Sequence, residues 1–186
     1  MGSQLITVEA SAAILSFWFE ELCEEHWFKA DAALDAMIRA RFLAVHEAAC
    51  QGELWPWRAT PQGRLAEILV LDQFSRNLYR DDPKAYAADP MALALAQEAL
   101  SVNADTALEN QQKLFLYMPF MHSESLEVHD IAYELFSAPG LEQHLAYENQ
   151  HRKLLLEFGR YPQRNAVLGR PSSEAELRYL SAGSKS

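Results

Sequence analysis

The sequence predicts an all-α protein, a single domain over residues 1–186 built of about seven or eight antiparallel helices with short connections. Three observations predict it. Apolar residues, rich in alanine and leucine, recur at helical spacing along the whole chain. Glycine, which weakens helices, occurs only 7 times. Proline, glycine and Ser, Thr or Asp stand where helices should begin and end. With 186 residues and 49% hydrophobic content, the chain can bury one ordinary core and is not disordered throughout.

The first helix is expected over roughly Val8 to Leu22, where "AAILSFWF" runs into "EELCEE". That acidic end, and the lack of a basic start, read as an amphipathic helix and not as a signal peptide. A second helix from about Ala30 to Gln51 places Leu34, Met37, Ile38, Phe42, Val45 and Ala49 on one face, with Gly52 as its stop. After the loop "ELWPWRATPQG", Thr60 caps a third helix and Pro61 occupies its first position. This helix, "QGRLAEILVLDQFSRNLYR", is apolar around most of its circumference and so is expected at the centre of the fold.

Asp89-Pro90 opens the fourth helix, and Asp105 caps a fifth that ends near "YMPF", because Pro119 cannot continue it. The sixth starts around Ser123 and stops before Pro139-Gly140. The seventh runs from about Leu141 to Phe158, with Gly159 at the position after its end. Ser173 and Glu176 form a capping box for a short last helix, and the final residues "SAGSKS" are expected to be disordered.

Composition excludes several functions. No apolar run reaches bilayer length, so no membrane span is expected. A net charge of −10 disfavours nucleic acid and anionic membranes as partners. The two cysteines, Cys23 and Cys50, form no metal or redox motif, and together with the absent leader they predict a cytoplasmic protein. Charge is uneven, however. Arg152 to Arg178 holds six cations and three anions, a net charge of +3, which leaves −13 on the remainder.

Four polar features interrupt the apolar pattern. Asp72, Arg76 and Tyr79 share one face of the central helix, while Asn77 projects about 140° away from Asp72. They read either as an internal ion pair or as the wall of a site whose carboxylate aims a guanidinium at a ligand. In "MPFMHSESL", the serines and Glu124 suit a helix start, whereas His122 is a general base, a ligand contact or a satisfied core histidine. Glu148 and His151 have the i, i+3 spacing of di-iron bundles, but the companion ligands are missing. A buried structural His151 is therefore expected, sharing a stripe with Tyr147, Leu154 and Phe158. In "EFGRYPQRNAVLGR", Arg160, Arg164 and Asn165 follow a helix stop and are expected to turn inward onto the carbonyl ends of helices or onto the carboxylates Asp72 and Glu124. No phosphate loop, nucleophile elbow or zinc signature is present.

Together "LDQFSRNLYR", "PFMHSE" and "FGRYPQRNAVLGR" resemble, in order and spacing, the motifs of domain-of-unknown-function family 924. The resemblance spans roughly Ile14 to Leu180. It implies a bacterial protein with a tetratricopeptide-like fold of stacked helical hairpins and carries no established activity. The family pattern falls on Asp72, Gln73, Phe74, Arg76 and Asn77, then on His122, Ser123 and Glu124. Its last part falls on Arg160, Pro162, Arg164, Asn165, Gly169 and Arg170. Ser75 stands where proline is usual, and Gln163 where histidine is typical.

Two functions follow as expectations. One is a small-ligand protein or enzyme that binds an anionic metabolite through Asp72, Arg76, Asn77, His122, Glu124, Arg160, Arg164 and Asn165, with His122 and Glu124 as the groups able to do catalysis. The other is an adaptor whose concave face binds a peptide or partner protein. The polar residues lie inside apolar runs, which favours an enclosed pocket. No cofactor and no metal are expected, since His122, Glu124, Glu148 and His151 are too few and too dispersed to specify a metal site.

Overall fold

A central helical rod organises the chain, and the computed structural model describes residues 7–183 of it. Thr60 starts the rod by accepting a hydrogen bond from Gly63 N at 3.0 Å, with Pro61 at the first helical position. Helix α4 (Pro61–Leu69) passes through a single π turn, Val70–Phe74, into α5 (Ser75–Leu78). Leu65, Ala66, Ile68, Leu69, Val70, Leu71 and Phe74 are all fully buried, as the all-round apolar pattern requires. The rod ends at Leu78. Tyr79 therefore leaves the helical path (φ −131°, ψ 40°) and does not share the face of Asp72 and Arg76 as the spacing predicts.

Before the rod come α1 (Val8–Ser16), extended by a π turn over Phe17–Glu21, then α2 (Glu24–Trp27) and α3 (Ala32–Cys50). Asp31 caps α3 by accepting from Ala33 N and Leu34 N. Leu34, Ile38, Phe42, Val45 and Ala49 enter the core, but Met37 is 45% exposed. At ~100° per residue, Met37 lies about 100° from the centre of that stripe, so the core-facing expectation fails on geometry.

After the rod come α6 (Lys84–Ala87), α7 (Asp89–Ser101), α8 (Asn110–Met121), α9 (Leu126–Phe136), α10 (Glu142–Phe158) and α11 (Glu174–Gly183). Asp89-Pro90 does open α7, whose buried Ala92, Ala96 and Ala99 allow close approach to the rod. Asp105 does not cap α8. It lies in a 3₁₀ turn and accepts from the Tyr117 hydroxyl at 2.8 Å, while Glu109 and Gln112 close the helix start. Nor does Pro119 end α8. Proline removes only its own N–H, and the helix continues to Met121, with His122 N still bonding Met118 O. Burial of every residue from Leu114 to Met121 holds that end in place. Helix α9 starts at Leu126, after Ser125, and not at Ser123.

Gly159 (φ +71°) ends α10 as expected, and Ser173 with Glu176 forms the capping box of α11. Residues 181–183 are helical. The expected disorder of the last residues otherwise falls on 184–186, outside the described residues. Among the described residues there is no strand, and no helix is long and apolar enough to cross a membrane. The rod packs against α1, α7 and α8, while α8, α9 and α10 pack on one another in sequence.

Gly63 is a steric requirement of the rod, because a Cβ there would meet Trp57 O at 1.9 Å. Gly63→Ala should therefore cost about 2–3 kcal/mol and lower the melting temperature by about 5–10 °C. A variant that melts with the wild type would mean that the Trp55–Ala59 turn yields.

Candidate functional site

The π turn places Asp72 inside the protein with 1% of its surface exposed. A charge at such a site needs partners, and three supply them. The Gln73 amide donates to Oδ2 at 2.5 Å and reaches Met118 Sδ on α8 at 3.3 Å. Arg76, one turn on, meets Oδ1 at 3.2 Å and donates to the Asp72 carbonyl at 2.7 Å. His122, at the end of α8, brings Nδ1 to Oδ1 at 2.7 Å. Burial opposes ionisation of Asp72, but the charge of Arg76 and the bonded His122 outweigh it and hold the carboxyl well below its usual range. An ionised carboxylate only accepts, so His122 Nδ1 carries the proton of this hydrogen bond. Its imidazole is 16% exposed.

Arg76 then reaches Asp89 at the start of α7 with both terminal nitrogens, at 3.0 and 3.1 Å. Arg164 approaches the same carboxylate at 3.4 Å and donates to His122 O at 2.9 Å. The rings of Tyr86 and Tyr161 lie 4.6 and 4.8 Å from its guanidinium carbon. Burial pulls the Arg164 pKa below the ordinary guanidinium value, with Asp89 opposing that effect. Asp72, Arg76, His122 and Arg164, from three distant parts of the chain, thus form one cluster, completed by Asp89 and Tyr86. Sequence reasoning took Asp89 for a helix opener only and gave Tyr86 no role. No sequence signal separates a capping Asp from a paired one.

The other expected site residues go elsewhere. Arg160 does not reach Asp72 or Glu124. Its fork grips Glu176 at 2.7 and 2.9 Å, because the capping carboxylate of α11 is nearer. Glu124 is held by Arg170 at 2.6 and 2.9 Å and accepts from Tyr161 N at 2.6 Å. Asn165 is fully buried, supports Arg170 at 2.9 Å and donates to Ser172, so it braces the loop. Asn77 donates to Asp35 on α3 at 2.8 Å, away from the cluster. His151 is not the buried histidine. It is half-buried, with Nδ1 on Tyr147 O at 2.8 Å, and Tyr147 is 58% exposed. The buried histidine that pairs with Glu148 is His129, on a stripe with Ala132 and Phe136, which could have flagged it. It bonds Glu148 at 2.5 Å, so Glu148 and His151 diverge.

Two clefts share His122. One, of about 350 Å³, is walled by Tyr86, Asp89, His122, Glu124 and Arg164. The other, of about 390 Å³, lies between α2, α8 and α10. Among the described residues, no three His, Cys, Asp or Glu side chains are grouped to hold a metal, and Cys23 and Cys50 are free thiols.

Asp72→Asn should remove about 3–5 kcal/mol of stability at pH 7, because it strips Arg76 and His122 of a buried anion. The folded-state pKa of Asp72 is depressed, so its contribution is present above the ordinary value and is lost as pH falls. The gap between wild type and variant in urea unfolding should therefore narrow below about pH 4. A gap independent of pH would refute the charged-carboxylate assignment.

The profile of the family described as "Bacterial protein of unknown function (DUF924)" matches residues 14–184. A solved structure of a protein of unknown function from Agrobacterium tumefaciens is similar, with a TM-score of 0.89 and 36% identity. The match covers 94% of this chain and 98% of that one. A comparison with curated proteins gives no match.

Proposed function

This chain belongs to DUF924, a bacterial family of unknown function, and we propose that it binds a small anionic metabolite beside Arg164, with Asp72–His122 as an acid–base pair. What supports the reading is the state of Arg164. Both Asp89 oxygens are already engaged by Arg76, so Arg164 meets that carboxylate only at 3.4 Å. A guanidinium has five N–H donors, and Arg164 directs one firmly, to His122 O. The two flanking tyrosine rings hold its plane, and it lines the smaller cleft. An arginine that is buried, oriented and incompletely satisfied suits a carboxylate or phosphate.

His122 lies on the same cleft. With Nδ1–H fixed on Asp72, its Nε2 can take a proton from a bound molecule, and the adjacent carboxylate stabilises the imidazolium that results. Positioned acid–base groups contribute about 10²–10⁴-fold in rate. Glu124, also on this cleft, is fully engaged by Arg170 and Tyr161 N and serves to position the loop.

The tetratricopeptide-like reading of the fold draws support from the sequential packing of α8, α9 and α10. The polar groups that set this chain apart are enclosed and do not lie across an open face, which favours the small-ligand reading over the adaptor.

Arg164→Gln leaves Asp89 paired with Arg76, so the fold should stand. In calorimetric titration with orthophosphate and small dicarboxylates, wild type should saturate. The variant should bind about 10–100-fold more weakly, the worth of a lost charge-assisted contact of about 1.5–3 kcal/mol. Equal affinities in the two proteins would remove the reading.

A further inference from the structure

We propose that the second cleft, between α2 (Glu24–Trp27), α8 (Asn110–Met121) and α10 (Glu142–Phe158), binds a small organic cation with an apolar body, such as an arylalkylammonium ion. This goes beyond the anion reading and rests on different groups, apart from the shared wall at His122.

The argument starts from proton bookkeeping. His122 Nδ1 bonds the Asp72 carboxylate, and His151 Nδ1 bonds the carbonyl of Tyr147 at 2.8 Å. Both partners only accept, so both Nδ1 atoms carry the protons, and the neutral His151 ring keeps a lone pair at Nε2. Neither Nε2 has a hydrogen-bond partner among the described residues. Both rings line this cleft. Burial also lowers the pKa of His144 and of His151, which keeps these imidazoles uncharged near neutral pH.

The remaining surface has a consistent sign. No Lys or Arg lines the cleft, whereas Glu24 stands at its edge and acts electrostatically on His144. The floor is apolar, formed by Leu114, Met118 and Met121. Two aromatic side chains on the rim, Phe28 at 53% and Tyr147 at 58% exposure, are uncovered. Ring faces attract cations, and methionine floors adapt to varied apolar shapes. A ligand that fits must offer an N–H donor to the His151 lone pair, carry positive or no charge toward Glu24, and bury an apolar part. A carboxylate or phosphate meets no cationic side chain in this lining and a like charge at Glu24. The volume, about 390 Å³, admits a single aromatic ring with a short side chain.

The test compares phenethylamine with 3-phenylpropionate, which pair similar apolar bodies with opposite charges. In calorimetric titrations near pH 7.5, the ammonium ion should saturate and bind at least about tenfold more tightly than the carboxylate. Glu24 is exposed, so Glu24→Lys should fold normally and weaken amine binding by about tenfold or more. Arg164→Gln should leave amine binding unchanged, which separates this site from the anion cleft. The proposal is overturned if the carboxylate binds as well as the amine, if the amine fails to saturate by about 10 mM, or if Glu24→Lys has no effect.

Discussion

The architecture depends on one constraint, an ionised carboxylate inside the most buried helix of the protein. Asp72 sits in a π turn, where one extra residue in the helical path redirects the side chains that follow. Its charge has to be met without water, and every group that meets it commits another part of the chain. Gln73 reaches α8 through Met118, and His122 fixes the end of that helix. Arg76 carries the requirement on to Asp89 at the start of α7, and Arg164 brings in the loop after α10. The polar centre thus follows from one buried negative charge and the alternating charges needed to balance it.

A second buried network holds the neighbouring elements. His129 Nε2 faces the carbonyl of Ser123 and the Tyr161 oxygen, while the Tyr161 hydroxyl donates to Met121 O at 2.6 Å. Nε2 must therefore carry a proton, and a second proton lies between Nδ1 and Glu148 Oε1, 2.5 Å apart. Written as imidazolium–carboxylate or as neutral imidazole–acid, the pair has no net charge, which is the condition for tolerating it at full burial. Its consequence is positional. The carbonyls of Met121 and Ser123 are both engaged, one on each side of His122, so the backbone that carries the His122 imidazole is held from α9 and from the C-terminal loop.

Local signals in the sequence were legible wherever a local rule governs the outcome. The Thr60 cap, the Gly159 stop, the Ser173–Glu176 box and the burial of the central helix all depend on residues within a turn or two of one another. Failures arose where tertiary packing decides. Pro119 lies within α8 because the surrounding core holds the helix closed on both sides of it. His129 and His151 each sit on an apolar stripe, and only the packing of α9 against α8 and α10 decides which one is covered. Partner choice among charges was the least readable feature. Arg160 and Arg164 were expected on helix carbonyl ends or on Asp72 and Glu124, yet Arg160 takes a capping carboxylate 16 residues on, and it is Arg170 that takes Glu124.

Those pairings explain how an acidic chain accommodates a cationic segment. Arg160 and Arg170 each form a two-pronged pair with a carboxylate, Glu176 and Glu124, and so clasp the C-terminal segment to the body. Arg164 differs from both. Its carboxylate is already taken, its nearest firm acceptor is a carbonyl, and aromatic faces supply part of its environment. A purely structural arginine would be expected to complete its own fork, as its two neighbours do. His122 stands between this incompletely satisfied cation and a second cleft edged by Glu24, so side chains of opposite charge flank the two faces that share it. Asp72 fixes the orientation of that imidazole, and the buried carboxylate thereby links the packing of the core to the chemistry available at its surface.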